Sequence, residues 1–193
     1  MSLSKVEFKE VNRITAALSR HLDLEKDLPA MVFLDSGLEY YFFERPMLST
    51  TDVLSELVCL NYEVFSTDVF ALFSAPSGLC YLFDGNNVDE GIEVLNSGFR
   101  DFFKGTADYP MIVGNLGFDW LLFESAYEEF GVLALSKANA KLKFSEGVGR
   151  NLIRSKEFQA LKGRDGILDT IIDAFHDYFN DEVGGLRSNE PYL

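Results

Sequence analysis

The sequence predicts an α+β fold, in which an antiparallel sheet built from β-hairpins packs against helices and the C-terminal third is helical. Apolar residues make up 47% of the 193 positions and aromatic residues 14%, which is too hydrophobic for a disordered chain. Short apolar runs separated by glycine and proline turns alternate with segments of helical spacing. We expect a single domain over residues 1–183, with 150–183 as an alternative helical appendage and 184–193 as a flexible tail.

The first half of the chain predicts two units, each a β-hairpin followed by a helix. An amphipathic helix precedes them, and its Ser4 and Glu7 have the spacing of a capping box. Gly37 suits the turn of the first hairpin because glycine adopts a positive φ readily. The predicted elements are, in chain order, a helix at 4–21, strands at 30–34 and 38–43, a helix at 52–65, strands at 68–74 and 79–85, and a helix at 88–103.

The second half predicts a short strand, a helix and a further strand before a helical end. Leu122, Ala126 and Phe130 recur at four-residue spacing, which indicates a helix that stops at Gly131. The predicted elements are a strand at 111–113, a helix at 119–130, a strand at 132–136, a basic loop or edge strand at 137–149, and helices at 150–162 and 167–183.

Charge is unevenly distributed along the chain. The formal net charge is −14, yet residues 23–134 carry −16 and residues 135–164 carry +6. Phosphate binding needs Lys and Arg, so we expect neither nucleic acid nor an anionic membrane as a partner. The basic segment is expected to pair with acidic surface of the same chain. The acidic body favours a basic protein as partner by electrostatic steering, and solubility is the alternative reason for its charge.

The last predicted helix carries five acidic residues at intervals of four. They are Asp165, Asp169, Asp173, Asp177 and Asp181. Successive members lie about 40° apart around a helix axis, so they form a slowly turning acidic stripe. Like charges at this spacing repel each other, which indicates a use for the stripe. The alternatives are internal pairing with the basic segment at 150–164, a solvated face, or contact with a basic partner.

A second candidate surface is the aromatic strand at 40–43, which reads Tyr-Tyr-Phe-Phe. Side chains alternate along a strand, so these four rings cannot share one face. If helices cover one face of the sheet, part of the set points outward. Carboxylates around aromatic rings suit a protein-binding face, so Glu39 and Tyr41 are predicted to contact the partner. The alternative is a phenylalanine-rich core on both faces of the sheet.

The signals for catalysis are few. Asp173, His176 and Asp177 stand at i, i+3 and i+4, a spacing that can place three metal ligands on one helix face. A small metal-dependent hydrolase using these residues is the rival function. The only other histidine is His21, and the sequence contains no nucleophile elbow, P-loop or dinucleotide fingerprint. An enzyme is therefore the less expected class, and we expect no cofactor.

Two cysteines, Cys59 and Cys80, lie in apolar runs and predict buried thiols without a disulfide. Residues 1–13 lack the apolar core of a signal peptide, and no apolar run is long enough to span a membrane. These observations predict a cytoplasmic location.

Two stretches carry a resemblance to known families. In 78–105, a strand ends in an aromatic residue and an aspartate, and a short loop then leads to a helix rich in phenylalanine. The residues that carry this pattern are Tyr81, Asp84, Ser97, Phe99, Phe102 and Phe103. This stretch, with the early Leu28–Pro29, resembles the SUKH (SMI1/KNR4-like) domain. The stretch at 122–135 is similar to a segment of type VI secretion immunity proteins.

The resemblance implies a cytoplasmic immunity protein that binds and inhibits a toxin domain. Nuclease toxins are often basic, so an acidic inhibitor would be steered to such a toxin and would mask its active site. The sequence therefore predicts a non-catalytic, acidic, protein-binding protein, in particular an immunity protein that masks a basic toxin domain. The alternatives are the metal-dependent hydrolase described above and a cytoplasmic regulator.

Overall fold

The computed structural model describes residues 3–44, 46–73, 79–102, 111–125, 127–139 and 141–180. Eight antiparallel strands form one sheet in the order β1-β4-β3-β5-β6-β7-β2-β8. Helices pack against the sheet, so the predicted α+β class with helices at the C-terminal end is confirmed. Within these residues, no helix combines the length and apolarity needed to cross a membrane.

The elements have the following bounds. The strands are β1 (Leu3–Lys5), β2 (Leu38–Glu44), β3 (Val69–Phe73), β4 (Leu79–Phe83), β5 (Met111–Asn115), β6 (Trp120–Glu124), β7 (Phe130–Ser136) and β8 (Ile153–Arg154). The helices are α1 (Phe8–Leu18), α2 (Thr51–Val64), α3 (Val88–Phe102), α4 (Leu142–Asn151), α5 (Ser155–Gln159), α6 (Gly166–Ala174) and α7 (Asp177–Asn180), and a 3-10 turn (Met47–Ser49) precedes α2.

Two hydrophobic cores lie on opposite faces of the sheet. The first core is closed by α2, α3 and α4, which bury residues such as Leu57, Ile92 and Phe144. The second core is closed by α1, the loop between α1 and β2, and the three C-terminal helices. The C-terminal helices thus belong to the main packing of the domain, because Phe158 and Tyr178 are buried in the second core.

Strand β2 supplies aromatic side chains to both cores. Tyr41 and Phe43 enter the first core, whereas Tyr40 and Phe42 enter the second. Phe42 stacks on Phe158 with 4.4 Å between the ring centroids. All four rings are at most 5% exposed. The strand therefore matches the alternative interpretation, a phenylalanine-rich core on both faces of the sheet, and none of its four rings faces solvent.

The first predicted hairpin is wrong. Residues 30–34 form no strand with β2, and their one ladder contact is an isolated bridge between Leu22 and Phe33. Strand β2 pairs instead with β7 along its whole length and with β8 at Tyr41 and Phe42. An apolar run without alternation is typical of a strand buried on both faces. Such a strand needs long-range partners, which local turn residues do not reveal. The second predicted hairpin is confirmed as β3 and β4.

The helix predicted at 119–130 is also wrong, because Trp120–Glu124 form β6 and Phe130 begins β7. Every residue of β6 is buried, and short buried strands and buried helices have similar apolar patterns. The segment at 137–149, predicted as a loop or edge strand, contains most of α4.

The predicted capping box is absent. Ser4 lies in β1 opposite Leu82, and Glu7 is the N-cap of α1 without a side-chain hydrogen bond. The helices predicted at 150–162 and 167–183 are interrupted. Residues 153–154 are a strand, and α6 ends at Ala174 before α7 begins.

Candidate functional site

The predicted acidic stripe does not lie on one continuous helix. The C-cap of α6 is Phe175, and α7 begins two residues later at Asp177. Phe175 is completely buried against Phe42, with 5.5 Å between the ring centroids. Packing of this ring in the second core accompanies the break, so the four-residue spacing does not give one turning surface. Asp181 lies outside the described residues.

Most carboxylates of the stripe are engaged within the chain. Asp165 caps α6 by accepting a hydrogen bond from the backbone N–H of Ile167 at 2.8 Å. Asp169 Oδ1 accepts from the N–H of Gly163 at 2.7 Å. Asp173 forms an ion pair with Lys162, from the basic segment that precedes the helix. These contacts favour the internal use of the stripe, in which it fastens α6 to the preceding turn.

The remaining contacts of the stripe concern the alternative metal site. His176 Nε2 lies 3.0 Å from Asp177 Oδ1, and its Nδ1 lies 3.2 Å from the backbone oxygen of Asp173. The Asp173 carboxylate instead meets Lys162. In the part of the chain that the structure describes, no three His, Cys, Asp or Glu side chains are placed to hold a metal ion. The arrangement of Asp173, His176 and Asp177 therefore does not support the predicted ligand set.

The two predicted contact residues of the aromatic strand differ in exposure. Glu39 is partly exposed, but Tyr41 is completely buried in the first core, so its ring is unavailable to a partner. Burial raises the pKa of Tyr41 above its ordinary value, and the nearby carboxylate of Glu39 adds to this rise. The prediction of Tyr41 as a contact residue is corrected, because helices cover both faces of the sheet.

The basic residues of α4 pair with the acidic face of α2. Arg150 Nη2 lies 2.7 Å from Glu56 Oε1, and Lys143 Nζ lies 2.5 Å from Glu63 Oε2. Asn151 donates a second hydrogen bond to Glu56 at 2.8 Å. The hydrogen bonds from Arg150 and Asn151 lower the pKa of Glu56. Part of the basic segment therefore neutralises acidic surface of its own chain, as its charge predicts.

An acidic groove remains between α2 and α3. Its volume is about 340 Å³, and its lining residues are Thr51, Asp52, Asp89, Ile92 and Glu93. Helix α2 begins with Thr51 and Asp52, and α3 brings Asp89, Ile92 and Glu93 to one side by helical spacing. Val88, Ile92 and Leu95 form one buried side of α3 in the first core, and Asp89 and Glu93 lie beside that side. The spacing of α3 therefore places its carboxylates along the edge of the helix side that packs on the sheet.

The carboxylates of this groove have no basic partner among the described residues. Ser55 Oγ donates to Asp89 Oδ1 at 2.5 Å, but no described Lys, Arg or His forms an ion pair with Asp52, Asp89 or Glu93. The adjacent Cys59, which the sequence predicts to be buried, is exposed. Partial desolvation of its thiol raises its pKa, and the charge of Asp89 adds to this rise. A groove of this kind offers hydrogen-bond acceptors to ammonium and guanidinium groups.

Sequence reasoning did not single out Asp52, Asp89 or Glu93. The net charge of −16 over residues 23–134 indicated that acidic surface lies in this region, and both helices were predicted near their observed positions. The missing information was the packing of α2 beside α3, which brings residues almost forty positions apart to one groove. Neither a protein-family model, nor a curated protein, nor a solved structure matches the chain.

Proposed function

We propose that this protein is a non-catalytic binding protein that receives a basic segment of another protein in the acidic groove between α2 and α3. The observation that carries the proposal is the difference between two sets of carboxylates on neighbouring surfaces. Glu56 and Glu63 on α2 are paired with basic residues of α4. Asp52, Asp89 and Glu93 have no such pairing within the described residues, and they converge on one groove.

The overall charge supports the same proposal. A net charge of −14 attracts a basic partner over a distance of about one Debye length, roughly 10 Å at 0.1 M salt. Steering of this kind raises the association rate, while local contacts in the groove determine which partner stays bound. Binding is therefore expected to weaken as the salt concentration rises.

An immunity protein is the specific form of this proposal. The resemblance of residues 78–105 and 122–135 to SUKH and type VI secretion immunity proteins suggests a cytoplasmic inhibitor of a toxin domain. A nuclease toxin presents Lys and Arg to bind phosphates, and an acidic surface competes for those side chains. Masking a basic active site in this way needs no catalytic residue in the inhibitor.

The test compares three forms of the protein as bait for affinity capture from a lysate of the source organism. The groove variant combines Asp52→Asn, Asp89→Asn and Glu93→Gln. Bound proteins are identified by mass spectrometry after a low-salt and then a high-salt wash. We expect the wild-type protein to retain a basic protein at low salt and release it at high salt, and the groove variant to lose it at both.

The matched control removes the same number of charges elsewhere. It combines Glu25→Gln, Glu129→Gln and Glu146→Gln, three exposed positions outside the groove. We expect this variant to retain the partner, because net charge changes equally in both triple variants. Equal retention by the groove variant and the wild-type protein would remove the groove from the interface.

A third variant tests whether the predicted acidic stripe, rather than the groove, binds the partner. It combines Asp169→Asn, Asp173→Asn and Asp177→Asn on the C-terminal helices. Loss of the partner in this variant alone, with an unchanged circular dichroism spectrum, would assign binding to the stripe and contradict the groove proposal. Once the partner is known, inhibition of its activity by the purified protein tests the immunity role.

A further inference from the structure

A second cleft lies at the opposite end of α2 from the acidic groove. Its volume is about 710 Å³, within the range of small-molecule sites. Its lining residues are Phe65, Asp119, Ala138, Asn139, Lys141 and Leu142. They come from the end of α2, the turn between β5 and β6, and the connection from β7 to α4. The cleft therefore combines one carboxylate, one ammonium group and apolar surface.

The carboxylate of Asp119 is fixed in position by a buried amide. Asn115 donates from Nδ2 to Asp119 Oδ2 at 2.9 Å, and Asn115 Oδ1 accepts from the backbone N–H of Asp119 at 2.9 Å. Asn115 is completely buried and also donates to Asn61 Oδ1, which accepts from Trp120 Nε1 as well. Since this network holds Oδ2, the other oxygen remains available to a ligand; no described residue donates a hydrogen bond to it.

The ammonium group of Lys141 has no carboxylate partner in the described ranges. Its Nζ lies 3.4 Å from the backbone oxygen of Val64 and 5.9 Å from the ring centroid of Phe65. Lys141 is the N-cap of α4, where a positive charge is unfavourable because the helix dipole is positive at that end. Nearby Lys143 is compensated by Glu63, whereas Lys141 is not. An anion bound in the cleft would supply the missing compensation.

Apolar groups line the space beside these two charges. The aliphatic side chain of Leu142 is 72% exposed. The ring of Phe65 packs against the buried ring of Phe144 with 5.1 Å between the centroids, and this contact holds the Phe65 ring in place. A fixed carboxylate and an ammonium group, beside an exposed leucine and an aromatic ring, are complementary to a ligand that carries both charges and an apolar side chain.

We propose that this cleft binds a small zwitterion of amino-acid or dipeptide size with an apolar side chain. The ammonium group of the ligand binds the Asp119 carboxylate. The carboxylate of the ligand binds Lys141, and the apolar side chain contacts Phe65 and Leu142. This site is separate from the acidic groove and does not depend on the protein partner proposed above.

In the test, the purified full chain is titrated with three matched compounds at millimolar concentration. Binding is measured by calorimetry and by changes in the amide chemical shifts. The probes are L-leucine, isoamylamine, which lacks the carboxylate, and isocaproate, which lacks the ammonium group. Each charged hydrogen bond that is lost is expected to weaken binding about ten- to a hundredfold. Binding of L-leucine with shifts confined to the cleft supports the proposal. Absence of binding, or equal binding of all three probes, overturns it.

Two single variants assign the charges. Asp119→Asn is expected to abolish the preference for L-leucine over isocaproate, and Lys141→Gln the preference for L-leucine over isoamylamine. Glu129→Gln and Lys137→Gln are the matched controls, because both positions are exposed and outside the cleft lining. If Asp119→Asn fails to fold, the comparison of the three probes on the wild-type protein still decides the outcome. Unchanged preferences in folded variants contradict the assignment.

Discussion

The buried amide of Asn61 is expected to be a major contributor to the stability of this domain, and Asn61→Leu is the variant that tests it. Asn61 is completely buried. Its Oδ1 accepts from Trp120 Nε1 and from Asn115 Nδ2, each at 3.0 Å, and its Nδ2 donates to the backbone oxygen of Thr67 at 2.6 Å. Leucine has a similar size but can form none of these three bonds.

The magnitude follows from the groups that lose a partner. Trp120 Nε1 loses Asn61 Oδ1, its one acceptor among the described residues, and the carbonyl of Thr67 loses its side-chain donor. Asn115 keeps its bond to Asp119. Each unsatisfied buried polar group costs about 1–3 kcal/mol, so we expect Asn61→Leu to lower the free energy of unfolding by about 3 kcal/mol. For a chain of this length, that loss lowers the Tm by roughly 6–12 °C.

Urea denaturation followed by tryptophan fluorescence is the assay. Trp120 is the only tryptophan and is 1% exposed, so its emission reports directly on the perturbed site. Asn12→Leu, an exposed change on α1, is the control and should stay within about 0.5 kcal/mol of the wild-type protein. In the Trp120→Phe background, where unfolding is followed by far-ultraviolet circular dichroism because no tryptophan remains, the cost of Asn61→Leu should fall, because the indole donor is no longer left without a partner. A loss below about 1 kcal/mol, or strict additivity of the two changes, would refute the reasoning.

Three further predictions concern packing, pH dependence and thiol reactivity. Gly131→Ala should lower the free energy of unfolding by about 1–3 kcal/mol in urea melts, because a Cβ there overlaps the ring of Phe43, and adding Phe43→Leu should recover part of the loss. The Arg150 guanidinium and the Asn151 amide on α4 lower the pKa of Glu56 below its ordinary value of 4.5. The ionised Glu56 therefore stabilises the fold above pH 4.5, and this stabilisation is lost as the pH falls. The Tm should accordingly decrease less on acidification in Glu56→Gln than in the wild-type protein. Iodoacetamide should modify the exposed Cys59 in the native protein. Cys80 should react only after unfolding, because it is buried and burial raises its pKa to about 12. Mass spectrometry that shows modification of Cys80 in the native protein would contradict its burial.

The extent to which the fold can be predicted differs between local and long-range elements. The hairpin of β3 and β4 is predictable because its strands are adjacent in sequence and the short sequence between them contains a proline and a glycine, which favour turns. The helical character of α2 and α3 follows from their apolar spacing. Strand β6 is not predictable in this way, because five successive buried residues have no period that distinguishes a strand from a helix.

The candidate site was predictable in composition but not in location. The count of acidic residues identifies an acidic body, and the basic segment was expected to pair within the chain, as Arg150 and Lys143 do. The aspartates of the C-terminal helices predict one acidic stripe because their spacing is regular. Regular spacing implies a common surface only where one helix continues, and the buried ring of Phe175 coincides with the end of α6. The groove carboxylates have no regular spacing, since two helices share them.

The placement of β2 in the sheet sets the order in which the chain can assemble. Tyr41 of β2 lies opposite Leu133 of β7 and Arg154 of β8, so both partner strands leave the ribosome long after β2. The neighbouring strands β3 to β6 can pair first, whereas β2 must wait for a contact of high sequence separation. During that interval its aromatic side chains lack both cores and its backbone edges are open to other chains. A nascent chain stopped before β7 is therefore expected to aggregate, and docking of β2 is expected to limit the rate of refolding.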